Sequence, residues 1–211
     1  MKSFLGLLFS VACLLSSARA TEPVALDQGL TYLRITSLTK SAFDLKDALQ
    51  KPAPLVIDLR YTVDEPEAAN ALRVLNSEPR KPTLYVLVSP STPAALTEIL
   101  TKTSTPLVLL GIKGAQPEPE VVVAQSAVDD RRAYDALAAG TPLADLISGK
   151  VEKERFDEAT LVTEFKSGNH DAHPPETPAV DAKTPPAKLV DRVLQRATQL
   201  HRAVLALKPR G

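Results

Sequence analysis

Tryptophan is absent, only 8 of the 211 residues are glycine, and aromatic residues make up 4% of the chain. So little glycine argues against a phosphate-cradling loop, and so few rings argue against a protein that stacks on nucleic-acid bases. Charge of either sign is not in excess: 25 Lys and Arg meet 25 Asp and Glu, so no polyanion and no nucleic acid is expected as a partner. Cysteine occurs once, as Cys13, inside the first twenty residues. If that segment is removed, disulfides, zinc-thiolate sites and thiol catalysis are excluded together.

The opening segment has the marks of a secretory signal over residues 1–20. Lys2 is followed by an apolar block from Phe4 to Leu15, and Ala18-Arg19-Ala20 closes it with a small-x-small cleavage site. The block is too short to span a bilayer. A lipoprotein, with Cys13 as the acylated first residue, fits less well, because Leu14-Leu15 continue the apolar block beyond it and Ser10 stands where an aliphatic residue is expected. The expected mature chain is exported, periplasmic or extracellular, with no integral membrane span.

Residues 21–166 alternate strand-length apolar runs with helical patterns. Gly29 to Thr36 reads as a strand, and Ser41 to Gln50 as a helix opened by the capping-box spacing of Ser41 and Asp44. Pro54 to Leu59 is a nearly unbroken apolar run, as in a strand covered on both faces, and Glu65 to Asn76 follows as a helix with Pro66 in its first turn. Thr83 to Val88 is a second buried run, and Thr92-Pro93 supplies a cap and a first-turn proline for a helix to about Leu100. Pro106 to Gly111 and Glu120 to Gln125 are further strands, joined by a loop too short for a helix, so they are expected to pair as a hairpin or turn a corner. Helical patterns cover Arg131 to Ala139, Pro142 to Ile147 and Glu152 to Phe165. The pattern predicts an α/β fold with a mainly parallel sheet and right-handed helical crossovers.

Residues 167–187 carry five prolines and almost no large apolar side chain, which reads as a Pro-rich linker. Residues 188–208 then form an amphipathic helical pattern with Val190, Val193, Leu194, Ala197, Leu200, Val204 and Leu207 on one stripe. That stripe must be buried, and its own domain is the first place to expect it. Self-association through 188–208 and docking of a partner protein are the alternatives.

Residues able to do chemistry are few. His170 and His173 have an H-x-x-H spacing, but in a Pro-rich stretch that would not fix metal-ligand geometry. His201 reads as a boundary residue of the last helix. Asp58 ends a buried strand at the sheet edge where α/β sites open, and with Arg60 two residues on it reads as an ion-paired or turn-capping aspartate before it reads as a catalyst. Nucleophile-elbow, phosphate-loop and metalloprotease motifs are absent, and neither a metal nor a cofactor is expected.

The order of segments nevertheless resembles a known family. YLRITSLTKSAFDLKDAL (32–49), PLVIDLRYT (54–62), LYVLVSPSTPAALTEIL (84–100) and PLVLLGIKG (106–114) are similar in order and kind to the catalytic domain of the tail-specific, or carboxyl-terminal processing, serine proteases. LVDRVLQRATQLHRAVLAL (189–207) looks like the helix that commonly ends such domains. The resemblance implies a crotonase-like fold and a chemistry in which a lysine activates a serine. It also marks departures. The family's nucleophilic serine falls on Ala95, which has no oxygen to attack with. The glycine pair that builds the family's oxyanion hole is replaced by Tyr61-Thr62-Val63-Asp64-Glu65-Pro66, and Lys113 arrives earlier than the family lysine. These residues predict no catalytic set: an exported, non-catalytic relative that binds a peptide or protein ligand or serves as a scaffold. The alternatives are a serine peptidase with a relocated dyad, Ser91 or Ser89 with Lys113, and a structural envelope protein docking a partner through its last helix.

Overall fold

The computed structural model describes residues 23–76, 83–148 and 188–207. The expected signal (1–20), the helical pattern 152–165, the linker 167–187, His170 and His173 lie outside the described residues.

Within them the chain is an α/β protein built on one six-stranded sheet whose strands follow sequence order. These are β1 (Val24–Ala25), β2 (Thr31–Arg34), β3 (Leu55–Asp58), β4 (Leu84–Val88), β5 (Leu107–Ile112) and β6 (Val121–Val123). Strands β2 to β6 run parallel, and the two-residue β1 joins the edge antiparallel, Val24 opposite Tyr32.

The crossovers α1 (Leu38–Gln50), α2 (Ala68–Leu72) and α3 (Ala94–Lys102) return over one face of the sheet. Sequential strand order with every return on one side is what crossovers of a single hand produce. Because strand side chains alternate, Leu33, Ile57, Val86 and Val88 meet these helices while Tyr32, Val56, Tyr85 and Leu87 face the other way. That second face is covered by α4 (Ala127–Ala138), α5 (Leu143–Ile147) and α6 (Arg192–Leu207). Strand β4 is buried along its whole length, which is why its sequence reads Leu-Tyr-Val-Leu-Val without polar interruption.

The last amphipathic helix packs on its own domain. Val193, Leu194 and Ala197 are buried against the sheet, whereas Val204 and Leu207, at the end of the same stripe, are 38% and 82% exposed. Residues 188–191 are not helical; they form the approach to the helix. His201 is buried at the boundary, with Nε2 donating to the Gln28 carbonyl at 3.2 Å and its ring edge-on to Tyr85.

Several sequence expectations are corrected. Strands β5 and β6 are parallel neighbours, neither hairpin nor corner. A parallel pair usually needs a long crossover, but β6 pairs only with the last half of β5, Leu110 opposite Val121 and Ile112 opposite Val123. The chain therefore climbs back only about three residues, and a loop turned through Gly114 (φ 84°) suffices.

Helix α1 is capped by Ser37 rather than Ser41: the Ser37 side chain accepts from the Lys40 N–H, and Ser41 is buried one turn in. The reciprocal acid of a capping box comes from Glu65, 28 residues on, which accepts from the Ser37 hydroxyl and the Thr39 N–H. Thr92 does not cap α3, whose N-cap is Pro93; its hydroxyl accepts from the Ser89 N–H and donates to the Leu59 carbonyl, pinning the turn after β4 to the end of β3. The expected helix 65–76 is short, α2 followed by a 3-10 turn over Arg73–Asn76, and α4 begins four residues earlier than expected because Ser126 caps it.

Gly111, in the middle of β5, is required by space. A Cβ there would stand 2.5 Å from the Val88 carbonyl oxygen and 3.0 Å from the Ala115 Cβ. Backbone cannot swing aside as a side chain can, so Gly111→Ala is expected to cost about 1–3 kcal/mol, read as a lower urea midpoint at unchanged slope.

Candidate functional site

The carboxyl ends of the parallel strands, where ligands enter sheets of this kind, gather most of the chemistry-bearing residues. Arg34 ends β2, Asp58 ends β3, Ser89 follows β4 and Lys113 follows β5. What stands at the centre is Arg60, fully buried two residues beyond Asp58.

All five N–H bonds of its guanidinium are used. Nε and Nη2 donate to Oδ1 and Oδ2 of Asp58 at 3.0 and 2.7 Å. Nη1 and Nη2 donate to Oδ1 and Oδ2 of Asp191 at 3.0 and 2.7 Å. The remaining Nη1 hydrogen goes to Asp130 Oδ1 at 2.7 Å. The carboxylates are matched in turn: Asp58 also accepts from the Tyr32 hydroxyl and the Arg60 N–H, Asp191 from the Leu194 N–H, and Asp130 from the Tyr61 hydroxyl. Burial works against the charge on Arg60, but the facing carboxylates of Asp191 and Asp58 outweigh it and hold the guanidinium protonated more firmly than usual. Around the cluster, the Tyr61 and Tyr134 rings lie 4.7 Å apart, Arg34 stacks 3.7 Å over the Tyr134 ring, and Arg131 lies 4.8 Å over Tyr61.

The cluster joins three parts of the chain. Asp58 belongs to β3, Asp130 to the first turn of α4, and Asp191 is the residue from which α6 starts. The approach to α6 is held twice more. The Asp191 N–H donates to the Leu146 carbonyl at 2.9 Å, and the Gln125 side chain bridges Val190 O and Arg192 N at 3.1 and 3.0 Å.

Asp58 is thus the ion-paired aspartate expected from its position. The sequence did not disclose Asp130 and Asp191, which lie 70 and 131 residues from Arg60. The only local hint was the start of α4 with two acids, Asp129-Asp130, one solvated and one buried.

Ser89 is buried, and its hydroxyl donates to the Arg60 carbonyl and accepts from the Ser91 N–H. Ser91 and Lys113 are exposed, and no hydrogen bond joins Lys113 to either serine among the described residues. Ala95 sits half-buried in the first turn of α3. In the segment after Arg60, Thr62 N–H donates to the Leu59 carbonyl and Val63 N–H to the Thr36 carbonyl, while the Thr62 hydroxyl donates to the Ile35 carbonyl. No group of His, Cys, Asp or Glu among the described residues could hold a metal ion, and no described helix is long and apolar enough to cross a membrane. No protein-family model and no curated protein matches the chain.

Two outcomes follow from this geometry. Asp191→Ala removes a bidentate partner of a buried guanidinium and the first capping acceptor of α6, and is expected to cost about 3–5 kcal/mol, with loss of amide-exchange protection concentrated in α6. All four tyrosines of the chain hold their protons more tightly when folded: burial raises each of them, reinforced at Tyr32 and Tyr134 by Asp58 and at Tyr61 by the hydrogen bond to Asp130. The unfolded chain releases these protons near the ordinary phenol value of 10.0, so stability is intact below that pH and falls as pH rises beyond it. In an absorbance titration the phenolate signal should appear together with loss of helical circular dichroism, not before it.

Proposed function

We propose that the protein is an exported, non-catalytic relative of the tail-specific serine proteases, with a crotonase-like domain, acting as a binding or scaffold module for a peptide or protein. The reading rests on the recurrence of the family's segments in order and on the sequential parallel sheet with one-sided crossovers, an architecture compatible with that family. The observation that carries its non-catalytic half is the state of the groups a serine hydrolase would need. The nucleophile position is Ala95, the Ser89 hydroxyl is committed to the Arg60 carbonyl, and the N–H groups of Thr62 and Val63 are committed to backbone carbonyls. An oxyanion hole needs free donors aimed at the developing charge, and these are already used. A ligand would meet the carboxyl edge of the sheet through the exposed surface beside Tyr61, Val63 and Lys113.

The test is reaction of the purified mature protein with a fluorophosphonate serine probe, alongside Ser91→Ala, Ser89→Ala and Lys113→Ala. Labelling no greater than in a heat-denatured control is expected. Labelling abolished by one serine change and by the lysine change would establish a relocated dyad and overturn the non-catalytic reading. The binding half is checked by amide chemical-shift changes on titrating extended peptides, expected at residues 61–64 and 113–116; their absence throughout a diverse peptide set would leave it without support.

A further inference from the structure

The charges packed around Arg60 do not balance. Three carboxylates, Asp58, Asp130 and Asp191, converge on a single guanidinium with every closest contact at 2.7 Å, and all four groups are buried. A further cation, Arg34, shares the ring of Tyr134 with Arg60; the two guanidinium carbons stand 3.7 and 5.5 Å from that ring's centroid. Arg131 sits on the solvent side of Tyr61 and is paired with Asp135 at 2.8 Å, so its charge is already answered. Even with Arg34 counted beside Arg60, two guanidiniums stand against three carboxylates, and at least one negative charge is left over among buried groups.

The three carboxylates are not equivalent. Asp58 and Asp191 each grip Arg60 with both oxygens and each accept a backbone N–H besides. Asp130 takes one guanidinium hydrogen on Oδ1, and among the described residues its other oxygen meets only the Tyr61 hydroxyl, at 2.7 Å, a group able to donate or to accept. A proton on Asp130 Oδ2 keeps that hydrogen bond with its direction reversed and leaves Oδ1 free to accept from Arg60. A proton on Asp58 or Asp191 would break a bidentate pair. Tyr61 is half-buried, so the site has a route to solvent.

The geometry points to a proton-linked latch: Asp130 carries an exchangeable proton that neutralises the cluster, and its loss leaves a surplus charge at the junction where α4 and α6 are fastened to β3. Burial, opposed by Arg60 and the Tyr61 hydrogen bond, holds the Asp130 carboxyl above its ordinary value of 3.8, which agrees with this assignment. The linkage has a definite sign. A carboxyl that holds its proton more firmly folded than unfolded adds stability that is fully present below 3.8 and is lost as pH rises through the folded-state value. Glu65 and Glu98 act oppositely. Hydrogen bonds from Ser37 and Thr39 hold Glu65 below the usual carboxylate range, and Lys102 does so for Glu98, so their contribution is lost as the medium turns acid. Only a difference between variants isolates the latch.

The experiment compares full-length wild type with Asp130→Asn, a neutral isostere of the protonated acid, by urea midpoint and by amide exchange in α6 from about pH 4 to about pH 8. The wild type is expected to lose stability relative to Asp130→Asn as pH rises, with α6 protection falling about tenfold for each unit by which the carboxyl is displaced. A constant offset between the two proteins across the range would mean that Asp130 does not change protonation on folding and would overturn the latch. Tyr61→Phe supplies a variant that leaves Arg60 and its partners in place. Because the tyrosine hydroxyl favours the ionised acid, its removal should move the wild-type transition to higher pH, and an unmoved transition would count equally against the proposal.

Discussion

A guanidinium taken out of water has to find five acceptors or the burial is ruinous, and the architecture of this protein is arranged around meeting that demand for Arg60. Its fork is filled by two bidentate carboxylates and a third single one, drawn from β3, α4 and the start of α6. A lysine would present three donors from a point and could not tie three carboxylates in one plane. The hydrophobic layer of Val193, Leu194 and Ala197 gives α6 its adhesion to the sheet. Apolar surface is indifferent to register, however, and it is Asp191, with the Gln125 bridge and the Leu146 carbonyl, that fixes where along the sheet the helix starts. Specific placement of the second layer is thus an electrostatic matter built on a hydrophobic one.

The sheet and its crossovers were legible because the information is local and periodic. Leu55-Val56-Ile57 and Leu84–Val88 are apolar on both faces, as only strands sandwiched between helical layers need to be. What local reading mistook were the junctions. Ser41 and Ser37 are both serines near the start of α1, and the choice between them is made by Glu65, which reaches back across the end of β3 to Ser37. Thr92 looks like a cap because it precedes a proline and a helix, yet its hydroxyl is claimed by the carbonyl of Leu59 on the neighbouring strand. The β5–β6 pairing was missed for another reason: loop length excludes a full parallel return, but not a half-length stagger, and register is invisible before the strands are laid side by side.

At the carboxyl edge of the sheet the division is the same. Asp58 and Arg60 are two residues apart and could be read as a pair; Asp130 and Asp191 look like ordinary helix-start acids, indistinguishable in composition from the solvated Asp129. Nothing in a single sequence says which acid of a pair turns inward, since that depends on where the helix axis lies over the sheet. Ser89 shows the converse hazard. By position it is a candidate nucleophile, just beyond the end of a buried strand, but its oxygen is bonded to the carbonyl of the very residue on which the ion cluster turns.

That coincidence bears on why the edge is constituted as it is. The segment from Asp58 to Val63 must keep its carbonyls and N–H groups aimed inward to hold Arg60 in place, since the Arg60 carbonyl takes Ser89 and the N–H groups of Thr62 and Val63 turn back to Leu59 and Thr36. A backbone that makes an oxyanion hole does the opposite, presenting unpaired N–H groups outward to a substrate oxygen, and glycine is the residue that permits it. The N–H groups of Thr62 and Val63 are not free in that way. The bond from Tyr61 to Asp130 fastens this stretch to the second helical layer, and the bond from Thr62 to the Ile35 carbonyl ties it to the end of β2.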